Sequence, residues 1–304
     1  MNRRTFLKWQ MHGLLWLTAA PVFESKAAQA AALPDVAIAK GSPAAAARAA
    51  VELLGGMSRF VRPGQKVLIK PNMSFARGPE SATTTHPEVL RAVLVMCKEA
   101  GASRIRVLDH SLQNAEQTLQ RSGIRDVCES VEPGICHHLM SAGLYTEASL
   151  DQGREMRANA FMPDVLEADV IIAVPVAKSH GSAGVSLSLK GQMGLIWDRG
   201  SMHSRYNLDA SIVDLNTRVK PHLAVIDATR VLTSGGPGGA GEIITPGEVI
   251  ASADPVAADA TAVASYPWYG RMFQPKQIRH ILLAHERGLG RMDIENLVTR
   301  RVTA

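Results

Sequence analysis

The segment Asp169-Val-Ile-Ile-Ala-Val-Pro175 constrains the fold more than any other. Five apolar residues follow one another without a polar interruption. A strand with one wet face alternates apolar and polar side chains, so an unbroken run this short reads as a strand covered on both faces. That is the condition of a parallel sheet between helical layers. The rest of the chain agrees. Residues 36–39, 66–70, 104–108, 223–226 and 247–251 read as further strands. Residues 43–54, 87–99, 211–220 and 255–265 read as helices, three of them supported by an early proline or a following glycine. The alternation predicts an α/β fold, mainly a parallel sheet covered by helices, with room for two subdomains about a cleft. Residues 109–164 are less regular and hold a turn at Glu132-Pro133-Gly134.

The first thirty residues carry a different message. Asn2-Arg3-Arg4-Thr5-Phe6-Leu7-Lys8 is a twin-arginine pattern; an apolar stretch from Met11 to Phe23 follows, then Ala28-Gln29-Ala30, a small-x-small cleavage site. Residues 1–30 are read as a twin-arginine export signal and 31–304 as a single α/β domain. The expected partner is the twin-arginine export machinery and the expected location is the periplasm. The whole chain is +5, and Arg3, Arg4, Lys8 and Lys26 against Glu24 account for +3 of it, leaving +2 for the remainder. So small a charge without a clustered basic face argues against nucleic acid. No later run approaches the roughly eighteen apolar residues of a membrane helix, so the mature form is expected to be soluble, without a stable span. Cys97, Cys128 and Cys136 are odd in number and lack a CxxC spacing. An iron–sulfur cluster needs about four thiolates, and none is expected from this chain alone.

Chemistry-bearing residues gather where strands end. In open α/β sheets ligands bind at the carboxyl edge of the strands, and Lys70 and Asn72 lie at the carboxyl end of one strand. Thr83-Thr84-Thr85-His86 precedes a helix with proline in its first turn, where free N–H groups can hold an anion, or where one residue can simply cap. Asp109-His110 closes another strand, with the Asp orienting the His or the pair capping the next helix. Beyond Pro175 come Lys178, His180, Ser186, Ser188 and Lys190, amid glycine and serine. As a strand or as a helix, Ser186 and Lys190 share a face. Such a lysine can bind an anion, form a Schiff base or carry a covalent group. His180 is a candidate base or metal ligand, with His110 and His203 as its companions. Gly235 and Gly236, in a glycine-rich loop, could approach a ligand closely, or form an ordinary surface loop. Asp254 is placed as a helix N-cap, and Asp259 points either to the site or to solvent.

In their order VLIKPN, ATTTHPEVLRAV, AKSHGSAGVSLSLKGQMGLI, the IDA strand end with its GGPGG loop, and ADPVAADA resemble the family catalogued as domain of unknown function 362, across most of 36–265. This chain departs from that pattern at Ser179, where the family has threonine, and at Gly191, where it has asparagine. A fainter resemblance, around 175–205, is to the nickel-pincer lactate racemase family. There a lysine about ten residues after a histidine carries a nucleotide-derived cofactor. The resemblance implies Lys190 as attachment point, with His180, His110 and His203 near a metal.

Together these readings predict an exported protein binding a small anionic, carboxylate-bearing ligand in a Lys/His-lined cleft. Lys190, His180 and His86 are its candidate catalytic groups. Lys70, Asn72, Thr84, Thr85, Lys178, Ser186, Ser188, Gly235, Gly236, Asp254 and Asp259 are its candidate ligand contacts, and His110, His180 and His203 its candidate metal ligands. Two alternatives stay open: a racemase- or isomerase-like enzyme with a metal–organic cofactor on Lys190, and a non-catalytic periplasmic protein that binds an anion or a metal.

Overall fold

The computed structural model describes residues 32–138 and 140–304; the export signal read at 1–30 lies outside the described residues. Ten strands carry the architecture: β1 (Val36–Lys40), β2 (Lys66–Pro71), β3 (Arg104–Leu108), β4 (Cys136–His137), β5 (Val170–Val174), β6 (Val176–His180), β7 (Gly184–Ser186), β8 (Leu223–Leu232), β9 (Glu248–Ser252) and β10 (Thr299–Thr303). They share one sheet, whose main path runs in the order β10-β1-β9-β8-β5-β2-β3-β4. From β8 to β4 every neighbouring pair is parallel, while β9 runs antiparallel to both β1 and β8. The fold is α/β with a mostly parallel central sheet flanked by helices.

The alternation of side chains along the strands divides the core. Val67, Ile69, Val170, Ile172, Val174, Leu223 and Val225 face one layer, packed with helices Pro43–Leu53, Pro87–Glu99 and Ile124–Val131. Leu68, Ile171, Ala224, Ile226 and Ile250 face the other, packed with helices Leu208–Val219, Pro255–Ser265 and Arg279–Glu286. Both faces of β5 are therefore covered, which is why its sequence never alternates. Residues Leu33–Ala304 form one compact unit. No helix among the described residues is long and apolar enough to cross a membrane.

Two elements differ from their sequence reading in ways that build the site. Strand β8 runs ten residues to Leu232, well beyond Ile226. Its first part pairs with β5 and its later part with β6, so both lie along the same rod. Between them Pro175 has no N–H to give a ladder, and Asp227 N donates instead to its carbonyl at 2.8 Å. Lys178 and His180 thus stand on a strand, not on the glycine-rich turn. That turn follows: β6 folds back on β7, pairing Lys178 with Ser186 and His180 with Gly184. The chain then enters a short helix, Ser188–Gly191, and a 3₁₀ turn, Gln192–Leu195.

Candidate functional site

The carboxyl ends of β2, β3 and β6 converge with the Ser188–Gly191 helix on a cleft of about 280 Å³. Lys70, Lys178, Lys190 and Arg199 line it together with Asn72, Asp109, His180, Ser186 and His203. Apolar contact comes from Phe75, Leu112, Met193, Trp197 and Pro237. Four basic side chains thus face one lining carboxylate. Lys70, Lys178 and Lys190 are each at most 8% exposed.

Each lysine is held differently. Lys70 Nζ lies 3.0 Å from Asp109 Oδ1 and donates to Pro71 O at 2.5 Å. Parallel pairing brings the ends of β2 and β3 side by side, which sets Asp109 beside Lys70. Asp109 Oδ2 also accepts from Met73 N and Ser74 Oγ, each at 2.9 Å. Burial lowers the basicity of Lys70 and the Asp109 charge works against that. Lys178 donates to Thr83 O at 2.6 Å and sits 5.0 Å over the Phe75 ring. Without a carboxylate of its own, it is pushed down to about 7 by burial, with Lys190 and Lys70 adding to the effect and Asp109 opposing it. Among the described residues Lys190 Nζ reaches only the Met193 thioether, at 3.6 Å. Burial, with Arg199 beside it, brings it to about 8. Arg199 donates to His110 O at 2.6 Å, and burial lowers its basicity too.

The imidazoles divide into two sets. His180 Nδ1 accepts from Ser182 N and Ala183 N, both at 3.2 Å, so the neutral ring carries its proton on Nε2. Burial first, then the surrounding cations, hold it at about 3. It stacks with His203 at a centroid distance of 5.9 Å. His110 is not with them. Its ring lies flat against Trp197 at 5.0 Å, and its Nδ1 is 3.0 Å from Ile196 O. That places it behind the cleft wall. Among the described residues no group of three or more His, Cys, Asp or Glu side chains is arranged to hold a metal ion. For a metal–organic group the cleft offers the Lys190 amine and two stacked imidazoles, a partial donor set.

The other sequence candidates support the cleft, most of them without lining it. His86 caps the Pro87–Glu99 helix: its Nδ1 accepts from Glu88 N at 3.1 Å, and its own backbone N–H donates to Asp227 Oδ2 at 2.8 Å. Both ring and backbone are thus engaged outside the cleft. Thr85 Oγ1 accepts from Asn72 N at 2.8 Å and donates to Val174 O at 2.6 Å, tying β2 to β5. The Thr84 hydroxyl is buried without a hydrogen-bond partner among the described residues. Asn72 Oδ1 accepts from Val176 N at 3.0 Å while the residue lines the cleft. Asp259 is buried and accepts from Ser188 N and Leu189 N at 2.8 and 2.9 Å, capping the helix that carries Lys190. Burial raises it to about 7. Asp254 caps its own helix through Val256 N at 2.8 Å and also accepts from Arg291 N at 2.7 Å, away from the cleft. The glycine loop is a wall, not an anion nest. Gly236 N donates to Ser179 Oγ at 2.9 Å, and a Cβ at Gly236 would lie 2.0 Å from Ser179 O. Of that loop Pro237 reaches the cleft; Gly235 and Gly236 do not line it.

Arg199, Trp197 and Gly194 were not among the sequence candidates, and Asp109, read as orienting His110 or capping a helix, instead faces Lys70. The place of Asp109 at a strand end was a usable signal, because parallel neighbours end together. Arg199 follows the 3₁₀ turn in an irregular segment and carries no spacing signature. Gly194 is required by close approach: a Cβ there would lie 1.9 Å from Asp109 Oδ1 and 2.5 Å from Lys70 Cε.

A profile of the family described as Domain of unknown function (DUF362) matches residues 67–264. Among curated proteins, the thylakoid-associated protein sll1697 of Synechocystis sp. is 27% identical over 206 residues. The match covers 65% of this chain and 62% of that protein, so this chain spans less than two thirds of its relative's length. Among solved structures, the lactate racemase apoprotein from Thermoanaerobacterium thermosaccharolyticum is similar at a TM-score of 0.47 and 12% identity. That likeness covers 74% of this chain and 55% of the other.

Proposed function

We propose, for a chain that belongs to the family Domain of unknown function (DUF362), that the cleft binds a small carboxylate-bearing anion and acts on it. The observation that carries this reading is the charge count: Lys70, Lys178, Lys190 and Arg199 against Asp109, in a pocket where the lysines are buried. A buried ammonium group without a counter-charge is costly and sheds its proton instead. An arriving carboxylate supplies the missing charge, and Arg199 offers it a planar fork of donors. His180 then presents its Nε2–H to the bound molecule. We further read the protein as exported through the twin-arginine route, on the strength of Arg3-Arg4 and the apolar run after them.

Calorimetric titration with hydroxy-, keto- and amino-acids, alongside a turnover assay, tests the reading. At least one acid is expected to bind at pH 6.5, with affinity reduced about tenfold or more in Lys178→Met and in Arg199→Met, the scale of a lost charge-assisted hydrogen bond. Turnover marks an enzyme; binding alone marks a binding protein. If no acid binds, or if both variants bind as the wild type does, the proposal fails.

A second reading is favoured by Lys190, whose amine has only the Met193 sulfur for a partner among the described residues and is held near 8. Such an amine is partly free at neutral pH and can form a covalent link to a carbonyl compound or carry a cofactor. A mass increase on the Lys190 peptide after a keto acid and borohydride, absent from Lys190→Ala, is the expected result.

A further inference from the structure

The cleft is cationic, yet part of its wall is apolar. Phe75, Leu112, Trp197 and Pro237 line it together with the lysines. Three of these side chains keep surface open to the cleft instead of sinking into the core: Leu112 is 60% exposed, and Phe75 and Trp197 are half-buried. Each aromatic ring is backed by a protein neighbour. Trp197 lies flat against His110 at 5.0 Å, with the Tyr145 ring tilted against it at 5.3 Å. A Cβ at Gly238 would lie 2.2 Å from Phe75 Cε1, so only glycine lets the loop come this close to that ring. Lys178 Nζ stands 5.0 Å from the centre of the same ring. Leu112 is tied to the segment that carries Phe75: its N–H donates to Ser74 O at 3.2 Å, and Ser74 Oγ donates to Asp109 Oδ2 at 2.9 Å. The loops that set Asp109 beside Lys70 therefore also build the apolar wall.

A single exposed leucine on a convex surface needs no explanation. Apolar side chains gathered on the wall of a concave site are different, because a ligand's carbon skeleton can cover them while a few polar groups fix its orientation. The cleft of about 280 Å³ corresponds to about nine waters of liquid volume. A three-carbon acid held by the cations leaves part of that space to water, against Phe75, Leu112 and Trp197. We infer that the acid this cleft takes carries an apolar substituent of about the size of a phenyl ring. The cations hold its carboxylate, and Phe75, Leu112 and Trp197 cover its substituent. A ring suits the two aromatic side chains, which it can meet in offset or edge-on contact, and it brings few rotors to be frozen. The inference rests on the proposed binding of a carboxylate-bearing anion and names the class of that anion.

Calorimetric titration of the whole protein at pH 6.5 with two matched pairs tests it: propionate against 3-phenylpropionate, and pyruvate against phenylpyruvate. The phenyl member of each pair is expected to bind about tenfold more tightly or better, the scale of burying one ring. Its heat-capacity change on binding is expected to be the more negative of the two. Leu112→Asn and Trp197→Ala are each expected to shrink the affinity ratio by about threefold or more. Equal affinities within both pairs overturn the inference and leave the anion-binding proposal standing. So does a ratio unmoved in Leu112→Asn, a substitution at an exposed side chain that decides the matter even where Trp197→Ala fails to fold. Binding of no acid at all overturns the proposal itself and the inference with it.

Discussion

Lys178 shows at the scale of one residue what the cleft does to a charge. Its folded-state value of about 7 lies far below the ordinary 10.5, because burial penalises the ammonium form, and Lys190 is lowered to about 8 for the same reason. The unfolded chain therefore binds more protons than the folded one between those values and 10.5. Stability is thus expected to rise with pH across that window, and to be lost as pH falls through 8 and then 7. Urea unfolding at stepped pH checks this, and Lys178→Met is expected to remove one proton's worth of the slope. The convergence of these lysines was legible in the sequence, since Lys70 and Lys178 sit at or beyond strand ends and parallel strands end on one edge. The place of His86 was not. A histidine that caps a helix and one that moves protons look alike until Glu88 N is seen on its Nδ1.

The four-residue helix Ser188–Gly191 is the element on which Lys190 depends, and too short to persist unaided. Asp259, from the helix Pro255–Ser265, holds its first two N–H groups. Asp259→Ala leaves both donors buried and unpaired, and is expected to cost about 2–4 kcal/mol and to weaken acid binding with it. Denaturant titration and calorimetry on one preparation measure both. Helix and strand identity was largely readable because apolar periodicity dominates buried elements. The second half of β8 was hidden because Asp227, Thr229 and Arg230 interrupt the apolar run that ends at Ile226. Their polarity is satisfied within the fold: Asp227 Oδ1 accepts from Thr229 N at 3.0 Å and Oδ2 from Arg230 at 2.6 Å, so the strand continues through a stretch that composition marks as a break.

Across the whole molecule the two apolar layers share the strands of one sheet, so neither can melt without exposing the other. Urea unfolding followed by far-ultraviolet circular dichroism and by fluorescence of Trp197 and Trp268 is expected to give coincident midpoints. Separated midpoints would reveal two independently stable parts. The proline between β5 and β6 has a mechanical meaning within this arrangement. It marks a seam, yet β8 splints both sides of it, so the strand bearing Lys178 and His180 has no hinge of its own. Any ligand that enters meets a rigid anvil on that side, and accommodation must come from the opposite jaw, the segment that carries Trp197, Arg199 and His203.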